Sequence, residues 1–530
     1  MKPNRFAMLL VILFCLTIFV IGLMFILRLA FPGKSGGGIS PTLAAIMTSD
    51  AQEDAIATRV AEALGQSADV SATYLPTMQP TGLPTSVSVD YLVTPETVQD
   101  GLHTYTTRSG DTVAALGLRF GIENAEIIAG GASSPTGYLP IGQLIRVPPY
   151  LGATTLPTLL LPDAAIVYGP LDAGFDVAAY VADAGGYLSH YSENVRGTVM
   201  SGADIVKRVA LEHSISAKLL LAILEYRSGW VNADTTAMDG QQYPLGYGIA
   251  DAAGLYEELY ITGRQLGYGY YGWRDGSRTK IRFADGSEVR LHPEINAGTA
   301  AIENLFASLD SPTAWNLHLF GENSFGAVYA QMFGIPWEQS TSPLIPDGLV
   351  QPVLELPFGV GEDYHLTSGP HRAWGLGSPW AAIDFAPADG LKGCTVSPFW
   401  VTAAAAGLVV RSANGVVVID LDGDGYEQTG WALFYLHLAD KDRVQAGEWV
   451  EQDQKIGHAS CTGGVATGSH VHFARKYNGE WMHAAGEIPL LLSGWQVLNG
   501  EAEYQGKLMR DGLMVSSYRY SITESKISRD

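Results

Sequence analysis

Cysteine is scarce, with three in 530 residues, and one of them, Cys15, sits inside an apolar run. A dense disulfide scaffold is therefore excluded, and Cys394 and Cys461 remain as one possible pair or as two buried thiols. Positive charge is short as well. Thirty-two Lys and Arg face 54 Asp and Glu, a net charge of −22, and a field of that sign repels phosphate backbones, so nucleic acid is excluded as a partner. Charged residues make up only 16% while hydrophobic ones reach 47%, which excludes a wholly disordered chain. Histidine numbers only 12, few enough for its placement to carry information.

What is present divides into several parts, as a chain of this length must. Residues Phe6 to Leu27 read FAMLLVILFCLTIFVIGLMFIL, 22 residues without a charge, enough at about 1.5 Å per residue to cross a hydrocarbon core of ~30 Å. A secretory signal has a shorter apolar stretch and a small-residue cleavage site, and Arg28-Leu29-Ala30-Phe31-Pro32 offers none. The expectation is a membrane anchor over 1–30, with the bulk of the chain outside the cytoplasm. Lys2 and Arg5 before it and Arg28 and Lys34 after it leave the charge rule undecided on orientation. A Gly/Ser spacer and a Thr- and Pro-rich stretch then form a stalk over 31–102.

From His103 to Pro148 the pattern is strand, turn, two short helices, strand. Gly110-Asp111 supplies the turn, Asp111 is placed to cap the helix carrying Val113, Leu116 and Phe120, and Leu144 and Val147 alternate as in a short strand. With SGDT and Ile141-Gly142-Gln143, residues 103–149 resemble the LysM module. That resemblance implies a βααβ fold that binds glycan built on N-acetylglucosamine, such as peptidoglycan. Residues 150–202 show no period and read as connector.

From Ala203 the texture is helical, with Leu220, Ile223 and Leu224 on one stripe and further helices over Gly254–Leu266 and Asn296–Ser308. The motifs LLLAILEYRSGW and NAGTAAIENLFA make 203–345 resemble the lysozyme-like fold of lytic transglycosylases. That family places a general acid Glu before Ser-Gly-aromatic, and here Arg227 precedes Ser228-Gly229-Trp230. Arginine gives up no proton at neutral pH. Glu225 lies about 200° around a helix from the needed direction. A degenerate lysozyme-like domain or a plain helical spacer is expected.

Over 350–497 the texture turns to β, with Leu408-Val409-Val410 and Val416-Val417-Val418-Ile419 between Gly and Asn, and an antiparallel sheet is the natural reading. Four histidines stand here in SGPHRAWG, FYLHLAD and GSHVHFA, beside Asp384 in WAAIDFAP. In His470-x-His472 both rings point to one face of a strand, so one can bind metal while the other addresses substrate. Zinc takes imidazole nitrogen and carboxylate oxygen, and a catalytic site keeps a position open beside three protein ligands. His371, Asp384 and His472 meet that count. The set resembles the lysostaphin-type and β-lytic zinc metallopeptidases, and the 13-residue separation from His371 to Asp384 is closer to the β-lytic branch. The resemblance implies one zinc ion held by His371, Asp384 and His472, with His437 and His470 catalytic, and cleavage of peptide cross-links in bacterial walls. His213, His292, His318 and His365 carry no assignment.

Asp420, Asp422 and Asp424 look like the start of a calcium loop, whose twelfth position should be Glu but is Trp431. A hairpin turn on Asp-Gly is the competing reading, with Glu427 able to complete an irregular site. The tail, 498–530, contains the alternating VSSYRYSI, a candidate edge strand without assigned function. The expected whole is a multidomain α+β protein comprising an N-terminal transmembrane helix, a βααβ LysM, a helical lysozyme-like domain and a C-terminal antiparallel β metallopeptidase domain. Its expected work is zinc-dependent hydrolysis of peptidoglycan cross-links, with glycan on LysM and peptide stems at the zinc. The alternative is a non-catalytic wall-binding scaffold or activator of other hydrolases.

Overall fold

The computed structural model describes residues 101–133, 137–233 and 241–529. The apolar run Phe6 to Leu27 and the stalk up to residue 100 lie outside the described residues, among which no helix is long and apolar enough to cross a membrane.

The βααβ order expected of 103–149 is observed: β1 (His103–Thr106), α1 (Val113–Phe120), α2 (Asn124–Ala129) and β2 (Leu144–Val147), with β1 and β2 antiparallel. The cap of α1 differs from expectation. Thr112 accepts the Ala115 N–H, while Asp111 is buried under Tyr105 and pairs with Arg119 at 2.7 Å. A side-chain oxygen is needed at both places, but the carboxylate goes where a buried guanidinium requires a counter-charge.

The stretch read as connector is part of the helical body. Leu161, Ile166, Val167, Leu188 and Val195 share one core with the helices that follow. The body runs α3 (Val177–Ala184), β3 (Ser192–Val195), β4 (Thr198–Ser201), α4 (Gly202–His213), α5 (Ala217–Ser228), α6 (Leu255–Arg274), β5 (Lys280–Arg282), β6 (Glu288–Arg290), α7 (Ala297–Leu309), α8 (Pro312–Phe320) and α9 (Phe325–Phe333). In α5 every residue from Leu219 to Leu224 is buried, so this is the central helix and its apolar residues run all round. At Gly269 of α6 a Cβ would come within 2.7 Å of Ala300 O in α7, so the close approach of these helices requires glycine.

The C-terminal body is built on antiparallel strands. These are β7 (Asp363–Arg372), β8 (Trp380–Pro387), β9 (Trp400–Thr402), β10 (Gly407–Ala413), β11 (Val416–Asp420), β12 (Trp431–Leu436), β13 (Trp449–Val450), β14 (Lys455–His458), β15 (Val471–Tyr477) and β16 (Glu480–Trp481). Five short strands follow: β17 (Leu491–Leu492), β18 (Trp495–Asn499), β19 (Gly506–Arg510), β20 (Leu513–Ser516) and β21 (Lys526–Ser528). The main sheet is ordered β13-β10-β11-β12-β15-β8-β7-β21, with β16 paired to β15. The tail is thus structural: β18, β19 and β20 form a meander, β21 closes the edge of β7, and VSSYRYSI reaches strand conformation only at its start.

Alternation decides which side chains go where. Val417, Ile419, Leu433, Tyr435, Val471 and Phe473 face a core of the β body alone, whereas Val416, Val418, Ala432, Phe434 and Ala474 face the helical body. Each large apolar side chain so buried contributes about 1.5–3 kcal/mol. The sheet is covered on both faces, and β11 accordingly reads as an unbroken apolar run.

Candidate metal centre

His472 lies on β15 directly opposite Asp384 on β8, and Phe473 and Val471 on either side of it point into the other core. Cross-strand pairing brings these two side chains to one face. His371 comes from β7, where the register against β8 slips between Ser368 and His371 and again before Arg372. Such bulges re-aim side chains, and here the imidazole reaches Asp384 rather than its own cross-strand partner Ala382.

The three candidate ligand atoms form a near-equilateral triangle. His371 Nε2 is 3.1 Å from His472 Nδ1 and 3.3 Å from Asp384 Oδ1, and His472 Nδ1 is 3.2 Å from the same oxygen. A tetrahedral ion with bonds of about 2.0–2.1 Å needs ligand separations of about 3.3–3.4 Å. The outer nitrogens fix the tautomers: His371 Nδ1 donates to Gly369 O at 2.9 Å and His472 Nε2 donates to Ala373 O at 3.0 Å. With both rings neutral in these tautomers, His371 Nε2, His472 Nδ1 and Asp384 Oδ1 turn three lone pairs toward one point. Asp384 Oδ1 is buried and accepts no hydrogen bond. A buried, unsatisfied acceptor facing two lone pairs is what a cation would resolve, and the donor set of two nitrogens and one oxygen suits zinc.

His437 and His470 stand beside the triangle with ring centroids 4.4 Å apart. His437 follows β12 at a left-handed φ of 69° and donates from Nδ1 to Thr462 O at 3.1 Å. His470 donates from Nδ1 to Gly468 O at 2.8 Å, and its Nε2 lies 3.7 Å from Asp384 Oδ1. Each ring is left with an Nε2 lone pair. Burial, then the neighbouring His470 and His472, hold the His437 pKa well below the ordinary imidazole value. Burial would raise the Asp384 carboxyl, but His371 and His470 carry it well below the usual carboxylate range.

All five residues singled out in the sequence are thus brought together. Two others, which the sequence reading left in an unassigned tail, join them. The Tyr504 ring stacks on His371 with centroids 4.9 Å apart, and its carbonyl accepts the Gly369 N–H at 2.7 Å. Glu503 pairs with Arg372 at 2.7 Å. No motif marks them, because the signal is a tertiary contact between the tail and β7. Cys394 and Cys461 form a disulfide with Cα atoms 5.3 Å apart.

The remaining histidines serve elsewhere. His365 meets Ser525, His318 pairs with Asp310 at 2.8 Å, and His213 is buried against the Tyr260 ring. The calcium expectation at Asp420, Asp422 and Asp424 is not supported. Their carboxylates gather within 4.8 Å but accept turn N–H groups, Gly425 on Asp420 at 2.9 Å and Tyr426 on Asp424 at 2.8 Å. Glu427 is committed to Arg411 at 2.8 Å and Lys476 at 3.4 Å, so the hairpin turn prevails. In the helical body Glu225 accepts the N–H groups of Val231 and Asn232, both at 3.0 Å, and Arg227 pairs with Asp310 at 3.1 Å.

Two stretches of the chain match known protein families. Residues 379–484 match the model of peptidase family M23, and residues 159–345 match that of the LasA N-terminal domain, which takes in most of the former connector. The chain is 28% identical over 366 residues to protease LasA of Pseudomonas aeruginosa, covering 63% of this chain and 78% of that protein. It is also 28% identical over 184 residues to the β-lytic metalloendopeptidase of Lysobacter enzymogenes, covering 33% of this chain and 93% of that one. The solved M23 metalloprotease pseudoalterin from the deep sea aligns at 22% identity and a TM-score of 0.28, over 32% of this chain and 98% of its own. The C-terminal body therefore carries an M23-type peptidase domain. Asp384 and His472 fall within the matched residues and His371 lies eight before them on the adjoining strand, and the metalloendopeptidase expectation is met.

Proposed function

We propose that the protein is a zinc endopeptidase, held at the membrane by the segment Phe6 to Leu27, that hydrolyses peptide cross-links of peptidoglycan outside the cytoplasm. The observation that carries this reading is the lone-pair triangle of His371, Asp384 and His472 flanked by two neutral-capable imidazoles. Zinc in such a site supplies Lewis-acid polarisation of a carbonyl and activation of water. The chain's own residues do the rest. His437, kept neutral by burial and by its imidazole neighbours, accepts a proton at Nε2 as water attacks and is placed to return it to the leaving amine. His470 presents its Nε2 on the same side of Asp384, positioned to donate to a developing oxyanion once protonated or to share the proton with His437. The Gly369 and Ala373 carbonyls hold the ligand rings in the tautomers that this chemistry requires.

The βααβ unit at 103–149 is read as a LysM module that grips glycan while the peptide stem enters the zinc site. The helical body is read as a positioning element derived from a lysozyme-like fold, without a glycan-cleaving acid, since Glu225 is engaged with its own loop. The disulfide supports an extracytoplasmic setting. The test is digestion of purified sacculi by the full chain with zinc, and again after chelation. New amines released only with zinc are expected, whereas chelator-insensitive release or none would overturn the reading and leave a wall-binding scaffold.

A further inference from the structure

The strand that brings His371 to the metal centre is poorly guided by its neighbour in the sheet. The register of β7 against β8 slips three times between Leu366 and Arg372, and Gly369 and Pro370 have no residue paired with them on β8. A bulged strand bends and re-aims its side chains, so some other contact must set where His371 points.

That contact comes from the opposite edge of β7, along which the C-terminal tail runs. β21 pairs with Asp363, Tyr364 and His365, and the Tyr518 N–H donates to Leu366 O at 3.1 Å. At the metal centre the turn between β18 and β19 takes over, and Glu503 and Tyr504 hold four consecutive residues of β7. The Gly369 N–H donates to Tyr504 O at 2.7 Å, and the Tyr504 N–H donates to Pro370 O at 3.1 Å. The Tyr504 ring stacks on His371 with 25° between the planes. One Glu503 oxygen accepts the Arg372 N–H at 3.1 Å and the other pairs with its guanidinium at 2.7 Å.

The two segments fit without slack. A Cβ on Gly369 would come within 2.4 Å of Gln505 C and Gly506 N, and one on Gly506 within 2.4 Å of Pro370 Cδ. Tyr504 is held at a left-handed φ of 70°, a conformation that a bulky residue keeps only where its surroundings overdetermine it. The consequence for the ligand is direct. Gly369, tied by its N–H to Tyr504, is also the residue whose carbonyl accepts the His371 Nδ1–H, and Arg372, tied to Glu503, follows His371 in the chain. The imidazole is thus flanked on both sides by residues anchored to the tail. Glu503 supplies the charged grip on two points, and such charge-assisted bonds are stronger than neutral ones.

We propose that Glu503 is a positioning residue for the metal centre: by clamping Arg372 it holds the β7 bulge in the conformation that aims His371 Nε2 at the ion. The inference rests on the reading of the triangle as a zinc site and adds to it a support supplied by the tail. Glu503 and Tyr504 both lie outside 379–484, the stretch that matches the M23 model.

The experiment measures three properties of the full chain: zinc affinity by competition with a chromophoric chelator, the visible spectrum after loading with cobalt(II), and the melting temperature without metal. Glu503→Ala should weaken zinc about 10- to 100-fold, the usual effect of removing an outer partner of a ligand, and should shift or weaken the cobalt ligand-field bands. That loss should exceed anything the metal-free melting temperature shows. Glu503→Gln, which keeps an oxygen for the Arg372 N–H, should recover part of it. Lys526→Ala removes the pair with Asp363 at 2.6 Å, at the far end of the same edge, and should leave affinity and spectrum as in wild type. Zinc affinity of Glu503→Ala within threefold of wild type overturns the inference. So does an equal loss in Lys526→Ala, which would make the effect a general loosening of the edge. Should Glu503→Ala not fold, Glu503→Gln is compared with Lys526→Ala, and affinity and spectrum equal to wild type overturn the inference. Wild-type protein that takes up no zinc removes the zinc reading and this inference with it, whereas zinc binding indifferent to Glu503 removes the inference alone.

Discussion

Replacing Asp384 by Asn tests whether the buried triangle exists to hold a cation. The side chain keeps its size, but Oδ1 loses its charge and the amide brings a second polar group into a site that is 7% exposed. Structural zinc sites yield about 10–16 kcal/mol over four positions, so one ligand is worth about 3 kcal/mol, roughly a hundred- to a thousandfold in affinity. The loss should appear in competition against a chromophoric chelator at neutral pH, with zinc content measured after dialysis. Without metal the variant should be less stable than wild type at neutral pH, because a carboxyl held below its ordinary range contributes stability there that the amide cannot supply. Burial opposes the Asp384 charge, but His371 and His470 outweigh it and hold the carboxyl well below the usual carboxylate range. Zinc affinity within threefold of wild type would refute the reasoning, because the convergence of the three lone pairs would then be a packing accident.

Three further outcomes follow from other parts of the molecule. His437→Ala should lower peptide-bond hydrolysis about 10²- to 10⁴-fold with zinc content unchanged; a small effect in single-turnover assays would remove His437 from proton transfer. Cys394 and Cys461 stand 67 residues apart, so Cys394→Ser should cost about 4 kcal/mol by the loop-entropy model, read as a lower denaturation midpoint that reductant no longer shifts. Glu303 is fully buried with Oε1 unpaired, and burial pushes its carboxyl up to about 8. Between the unfolded value of about 4.3 and that pH the native state binds the extra proton, so stability falls as pH rises through this window, by on the order of 3 kcal/mol at pH 7. Glu303→Gln should flatten the pH dependence of the melting temperature between pH 5 and 8, and an unchanged slope would assign it to other groups.

Much of this was legible in the residues. The His470-x-His472 pair and Asp384 could be read because strand alternation is local and fixes faces without knowledge of the fold. The helices α4, α5 and α7 were legible from apolar spacing, within one residue at most ends. The span from Leu161 to Val195 was not, since its short turns and strands have no period and become ordered only by packing on α4 and α5. The bulges of β7 were equally hidden: nothing in SGPHRAWG announces that His371 will be re-aimed by a register slip. Tyr504 and Glu503 escaped for a related reason, since their importance lies in contact with a strand 130 residues earlier in the chain. Asp111 shows the converse, a correct residue type given the wrong partner because Arg119 competes for it.

The carbonyl of Ala373 ties His472 to a loop that also rests on the helical body, where Gly377 O would lie 2.5 Å from a Cβ on Gly267. Whatever rigidity that contact lends the ligand ring, thermodynamic reciprocity requires the ion to repay in the adhesion of the two bodies. Loading with metal should therefore fasten the two bodies to each other, and an isolated catalytic fragment should bind its ion more loosely than the intact chain.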